Sequence, residues 1–143
     1  MWMSGPQGYE AMQSVLRLHQ VMTSIVGAEL KAGFRLRLID YLTLRALQDS
    51  ESGTESLGRL AQRLGVHATT ITIATERLED RNLIRRRAHP SDKRATLARI
   101  TAEGRALADA ATTRLGKVDF GLAGLTQAQT RSLAGLMPRV SQP

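Results

Sequence analysis

Residues 56–104 constrain this chain more than any other stretch: SLGRLAQRLGVHATTITIATERLEDRNLIRRRAHPSDKRATLARITAEG. A short amphipathic run meets a Gly-containing turn, a second amphipathic run follows, and then come two β-like runs separated by a basic loop. That order predicts a helix-turn-helix followed by a β-hairpin wing, an arrangement that reads duplex DNA. Charge points the same way. Residues 56–100 hold ten Lys or Arg against four acids, a net of +6 out of +7 for the whole chain. The positive charge is therefore local, as a footprint for phosphate must be.

The periodicity predicts local structure on both sides of this segment. Met12, Val15, Leu16, His19, Met22, Ile25 and Val26 recur at three- and four-residue steps, with Leu18 and Val21 widening the stripe, so 7–31 reads as one long helix with Gly33 as its stop. A stripe that wide needs two surfaces to cover it. Residues 36–49 form a second helix through Leu38, Ile39, Leu42, Leu44 and Leu47, ended by the polar stretch 49–53. Thr54 and Glu55 form a very short strand, and Ser56 caps a helix over 57–64. Gly65, Val66 and His67 make the turn. The next helix runs from 68 to 81, with Ile71, Ala74, Thr75 and Leu78 inward. Leu83-Ile84 and Thr96–Ile100 are the wing strands, and the loop from about 88 to 95 carries Pro90 and Asp92 as turn residues. Thr101 caps a helix reaching about 120, with Leu107, Ala110, Ala111, Leu115 and Val118 on one side. Thr126 and Gln129 match a capping box opening a last helix through Leu133, Leu136 and Met137, its final turn perturbed by Pro138.

Composition excludes several classes. There is no Cys, which removes thiolate metal sites, disulfides and thiol redox sensing. Histidines 19, 67 and 89 are scattered, so no metal is assigned. No Gly-rich phosphate loop, catalytic carboxylate pair or Ser/His/Asp signature is present, so the chain reads as a non-enzyme without a cofactor. The N-terminus lacks a charged and an apolar signal region, and no apolar run approaches the ~20 residues a membrane helix needs. A cytoplasmic protein without membrane association is expected.

The arrangement resembles the multiple-antibiotic-resistance-regulator (MarR) family of bacterial transcription factors. Residues 57–66, Thr70-Ile-Thr72 through Leu78-Glu79, 83–87, Asp92-Lys-Arg94 and Ile100-Thr-Ala-Glu-Gly104 carry the likeness. It implies a mainly α fold with a small β-wing, a winged helix-turn-helix flanked by N- and C-terminal dimerisation helices. The chain is then a single domain over 1–143, with dimerisation helices at 7–35 and 102–143 and a DNA-binding lobe at 36–101. Two positions depart from the family. Where it often has Arg in the recognition helix this chain has Ile73, and Asn82 stands where it often has Gly before the first wing strand. Ile73 removes a guanine contact and offers an apolar surface to a thymine methyl. Asn82 is a mild change, because Asn tolerates the left-handed conformation.

The expected DNA-facing set is His67, Thr69, Thr70, Thr72, Ile73 and Arg77 on the recognition helix, with Arg86, Asp92, Lys93 and Arg94 on the wing. Arg77 is given to phosphate. Arg85, Arg86, Arg87 and Lys93 are phosphate contacts or a solvated strand face, and alternation turns Arg86 away from its neighbours. The resemblance implies a wing-tip Arg94 in the minor groove with Asp92 bracing the loop, which suits the negative potential of a narrow A/T groove. Reading two half-sites requires a two-fold homodimer on a palindromic operator. The family also senses small, often aromatic or phenolic, effectors; His19, Tyr41 and Arg45 are the residues that would line such a site, against the plainer reading of core or interface residues. The expected function is a dimeric, sequence-specific repressor released by a small ligand. The alternative is an architectural or anti-regulator DNA-binding protein of the same fold without a sensing pocket.

Overall fold

The computed structural model describes residues 5–140; the ends of the expected spans, 1–4 and 141–143, lie outside the described residues. Six helices and three strands follow in the order α1 (Pro6–Phe34), α2 (Leu38–Gln48), β1 (Thr54–Ser56), α3 (Leu57–Leu64), α4 (Ala68–Asp80), β2 (Ile84–Ala88), β3 (Thr96–Ile100), α5 (Ala102–Gly116) and α6 (Gln127–Val140). The chain forms two compact units. One takes residues 27–114; the other takes the chain up to Val26 and again from Leu115. The C-terminal turns of α1 and nearly all of α5 thus belong with the helix-turn-helix, whereas the sequence predicts a lobe from 36 to 101.

Within the 27–114 unit, α1 does not stop at Gly33. It continues to Phe34 and ends on Arg35, which is left-handed at φ 52°. The Leu36 N–H reaches back to the Leu30 carbonyl (3.2 Å) and the Arg35 N–H to the Lys31 carbonyl (3.1 Å), which satisfies the last carbonyls of the helix. The Arg81 guanidinium then forks onto the Phe34 and Arg35 carbonyls at 2.9 Å each, a cation at the negative end of a helix. Gly33 has another use. The Arg114 side chain passes 3.2 Å from where its β-carbon would be, held there by Glu29 at 2.6 Å.

Helix α2 opens with a carboxylate cap, in which Asp40 Oδ2 accepts from the Arg37 N–H at 2.9 Å. Ser56 caps α3 through the Arg59 N–H (3.3 Å), and Gly65 ends it in the left-handed conformation. Asn82 adopts φ 59°, the conformation for which Asn is tolerated, and so permits the turn from α4 into β2. Strand β2 is longer than Leu83-Ile84. Its Arg-Arg-Arg run has no apolar alternation, and pairing with β3 makes it a strand: Ile84, Arg86 and Ala88 stand opposite Ile100, Ala98 and Thr96. β1 adds to the other edge, giving an antiparallel sheet in the order β1-β3-β2. The core of this unit is Leu30, Leu36, Leu44, Leu47, Leu60, Ile71, Leu78 and Ile84, all essentially without solvent contact.

Helix α5 is capped by Thr101, whose Oγ1 accepts from the Gly104 N–H at 3.0 Å. It ends at Gly116, short of 120, because Asp119 and Phe120 are left-handed (φ 52° and 53°). Its buried line is Gly104, Ala108, Ala111 and Leu115, whereas the expected Ala110 is exposed. Gly104 sets this register, since a β-carbon there would overlap the Leu83 carbonyl oxygen.

In the other unit, Gly121 (φ 76°) packs directly against the backbone of Met22. Thr126 and Gln129 form the capping box of α6, with bonds of 2.9 and 3.2 Å. Little of the α1 stripe is covered here: Val26 is buried, Leu18 and Met22 are half-buried, and Met12, Val15, Leu16, Val21 and Ile25 are exposed.

Candidate nucleic-acid interface

Helix α4 buries Ile71, Ala74, Thr75 and Leu78, which leaves the opposite side to solvent. His67 stands at the N-cap and is exposed, as are Ala68, Thr69, Ile73 and Glu76; Thr70 and Thr72 are half-buried. The Thr72 hydroxyl donates to the Ala68 carbonyl at 3.0 Å. Six of the expected residues therefore have these positions: His67, Thr69 and Ile73 outward, Thr70 and Thr72 at the edges, and Arg77 turned aside.

Arg77 is committed inward. Its guanidinium donates to Asp40 Oδ1 at 2.7 Å, and Asp40 is only 4% exposed. Its Nε is the one buried side-chain nitrogen or oxygen without a hydrogen-bond partner among the described residues. Asp40 thus does two tasks, capping α2 with one oxygen and holding α4 with the other. An unpaired carboxylate at that depth would carry a desolvation penalty of several kcal/mol, so the cation is needed there. Sequence reasoning missed Asp40. The only signal was an acid three residues into α2.

Arg86 is likewise drawn onto α4. Glu79 accepts from its backbone N–H (2.7 Å) and from two guanidinium nitrogens (3.2 Å each), while Glu76 lies 3.8 Å away. Strand alternation requires this, because Arg86 shares the inner face with Ile84, opposite the buried Ala98 and Ile100. Arg77, expected to meet phosphate, and Arg86, expected to meet phosphate or lie on a solvated strand face, have their guanidiniums bound within the lobe, where they tie α2 and the wing to α4.

The free cations lie elsewhere. Arg85 and Arg87 are exposed on the outer sheet face, and Arg85 stands directly across from the exposed Arg99. Lys93 and Arg94 are exposed on the loop between β2 and β3. That loop is held by its own polar groups. Asp92 Oδ1 accepts from the Arg94 N–H at 3.0 Å, and the Asp92 carbonyl accepts from Ala95 at 3.0 Å. His89 Nδ1 accepts from the N–H groups of Ser91 (3.1 Å) and Asp92 (3.2 Å). His89 was legible only as one of three scattered histidines. Its position just before Pro-Ser-Asp was the signal for a turn acceptor.

Of the three residues named for a small-molecule site, Tyr41 and Arg45 belong to the 27–114 unit and His19 to the other. Tyr41 is buried, with its hydroxyl bonded to Thr112 Oγ1 at 2.8 Å. Arg45 is one turn further along α2, donating to Gln48 (3.1 Å) and lying 4.0 Å from Asp49. His19 belongs to the other unit, where it lines an apolar cavity of about 370 Å³ with Val15, Leu18, Met22, Leu133 and Met137. Among the described residues, no three His, Asp or Glu side chains are placed to hold a metal ion, and no helix is long and apolar enough to cross a membrane.

A helix-turn-helix whose second helix is exposed along one side, followed by a hairpin with a cationic loop, defines the winged helix-turn-helix class. The family described as MarR matches over residues 39–96. Sco5413 of Streptomyces coelicolor, a MarR family transcriptional regulator, is 30% identical; the alignment covers 95% of this chain and 94% of that one, with a TM-score of 0.84. The chain belongs to the MarR family, a family of transcriptional regulators rather than enzymes. Two further structures share its fold. Sco3205 of S. coelicolor, solved in complex with DNA, is 24% identical at TM-score 0.84, covering 100% of this chain and 92% of that one. BpsR of Bordetella bronchiseptica, whose DNA binding is regulated by 6-hydroxynicotinic acid, is 23% identical at TM-score 0.80, covering 93% and 99%.

Proposed function

We propose that this protein is a homodimeric, cytoplasmic repressor that binds a palindromic operator. The observation that carries the reading is the division of the lobe's cations. Arg77, Arg81 and Arg86 are spent inside it, while Arg85, Arg87, Lys93, Arg94 and Arg99 are left in solvent on the wing. In this reading the exposed side of α4 (His67, Thr69, Thr70, Thr72, Ile73) lies in the major groove. Arg94, its backbone pinned by Asp92, enters the minor groove, and Lys93 meets phosphate. Arg77 and Arg86 act as braces. The DNA complex of Sco3205 supports the assignment to duplex DNA.

Dimerisation follows from the apolar stripe. Val15, Leu16 and Val21 of α1 and Leu136 of α6 are exposed, an arrangement that a second copy would cover. Effector control is supported by the apolar cavity beside His19, whose size suits one small aromatic acid, and by the regulation of BpsR. One observation favours the alternative of an architectural or anti-regulator protein without a sensing pocket: Tyr41 and Arg45 are already engaged by Thr112, Gln48 and Asp49.

The test is a fluorescence-anisotropy titration at fixed salt with DNA from the protein's own promoter region, against bulk DNA as competitor. Preferential binding is expected, with release by a small aromatic carboxylate such as 6-hydroxynicotinic acid. Equal affinity for specific and bulk DNA would sink the regulator. Specific binding that no aromatic acid relieves would favour the architectural alternative.

A further inference from the structure

The commonest specific reading of guanine is a bidentate contact from Arg or Lys to O6 and N7 in the major groove. Helix α4 has none to offer. From His67 to Arg81 its only Lys or Arg residues are Arg77 and Arg81. Arg77 is held by Asp40, and Arg81 is forked onto the carbonyls that end α1. The Thr72 hydroxyl is donated to the Ala68 carbonyl. What the outward side presents is a stripe at four- and three-residue steps: Thr69, Ile73 and Glu76, all exposed. Ile73 sits in the middle with 48% of its surface in solvent, a large β-branched hydrocarbon on a helix otherwise lined there by small and polar groups. Glu76, at the C-terminal end of the stripe, lies 3.8 Å from Arg86 and is further from the N-terminal turns that meet base edges.

We propose that α4 reads A·T pairs through the C5-methyl groups of thymine, with Ile73 as the specificity-determining side chain and Thr69 beside it. The proposal rests on the operator-binding reading above. The chemistry is simple: the thymine methyl is the one apolar group on the major-groove edge of an A·T pair, and burying it against Ile73 removes both from water. A thymine contact also suits a protein whose free arginines sit on the wing, because A/T-rich flanks narrow the minor groove that Arg94 would enter.

The test starts with selection of binding sites by the full-length protein from a random duplex pool. The enriched duplex is then resynthesised with deoxyuridine for thymidine, one position at a time, which deletes the methyl and keeps every hydrogen bond. The expected result is A/T enrichment at the major-groove positions, and a loss of about fourfold in affinity for each contacted methyl removed. Ile73→Ala should lose affinity for the thymidine duplex and become indifferent to deoxyuridine, with an unchanged Tm. Ile73→Arg should shift the selected base toward guanine. An enriched site whose affinity ignores deoxyuridine, or one with guanine at those positions, overturns the methyl readout and leaves the regulator standing. A pool that yields no enriched sequence overturns operator binding itself.

Discussion

The two compact units bury their apolar residues to very different extents. In the 27–114 unit, eight large side chains, seven from α1, α2, α3, α4 and β2 and Leu36 between α1 and α2, are sealed from water, and the buried charge of Asp40 has its own cation. In the unit made by the outer parts of the chain, Met12, Val15, Leu16 and Val21 remain exposed although their spacing is that of a core stripe, and Tyr9, Leu125 and Leu136 are exposed with them. The first unit covers most of its large apolar side chains with its own residues. The second has apolar surface that its own residues do not cover, which is the physical basis for proposing that it dimerises.

If that contrast is right, damage to the first unit should unfold the protein. Gly104→Ala should do the most, since the new β-carbon meets the Leu83 backbone carbonyl, which cannot yield as a side chain would; a loss of at least about 3 kcal/mol is expected, read by chemical denaturation. Asp40→Ala should follow at about 3 kcal/mol, or about 8 °C in Tm, because it uncaps α2 and strands Arg77. The pair Asp40→Asn with Arg77→Met should recover part of that loss.

Damage to the second unit should spare the fold and spoil the assembly. Leu16→Asp, at a position 60% exposed, should leave the circular dichroism spectrum unchanged. Sedimentation should then report a monomer, and operator affinity should fall by roughly a hundredfold, because half-sites one turn apart are no longer read together. A dimeric Leu16→Asp protein would place the interface elsewhere. Arg94→Ala should touch neither fold nor assembly. It should weaken operator binding by about tenfold and reduce the salt slope by about one, whereas unchanged affinity would remove the wing tip from the mechanism. The smallest expected change is Tyr41→Phe. It deletes the hydrogen bond to Thr112 and should cost about 1 kcal/mol with DNA binding intact; a lost effector response in that variant would instead return Tyr41 to a ligand site.

The local signals of this chain were read well because each acts over a few residues. Ser56, Thr101, Thr126 with Gln129, and Asn82 all take the cap or turn position that their chemistry favours. The errors came where distant residues decide. Gly33 looks like a stop, but the helix ends at Arg35 because Leu36 is buried and Arg81 takes the free carbonyls. Average periodicity places Ala110 inward, yet the close approach at Gly104 rotates α5 onto Gly104, Ala108, Ala111 and Leu115. The sequence marks only Leu83-Ile84 as strand because three arginines carry no strand pattern of their own, and pairing with β3 extends β2 to Ala88.

The same division runs through the candidate interface. Sequence alone determined that a helix-turn-helix precedes a cationic wing, because hydrophobic period, turn residues and local charge are properties of neighbours along the chain. Only the tertiary structure decided which of the ten basic residues in 56–100 remain available to a partner. A guanidinium's freedom depends on whether a carboxylate or a carbonyl distant in the chain lies within hydrogen-bond reach. Asp40 reaches Arg77 across 37 positions, the end of α1 reaches Arg81 across 47, and no short-range pattern encodes either meeting.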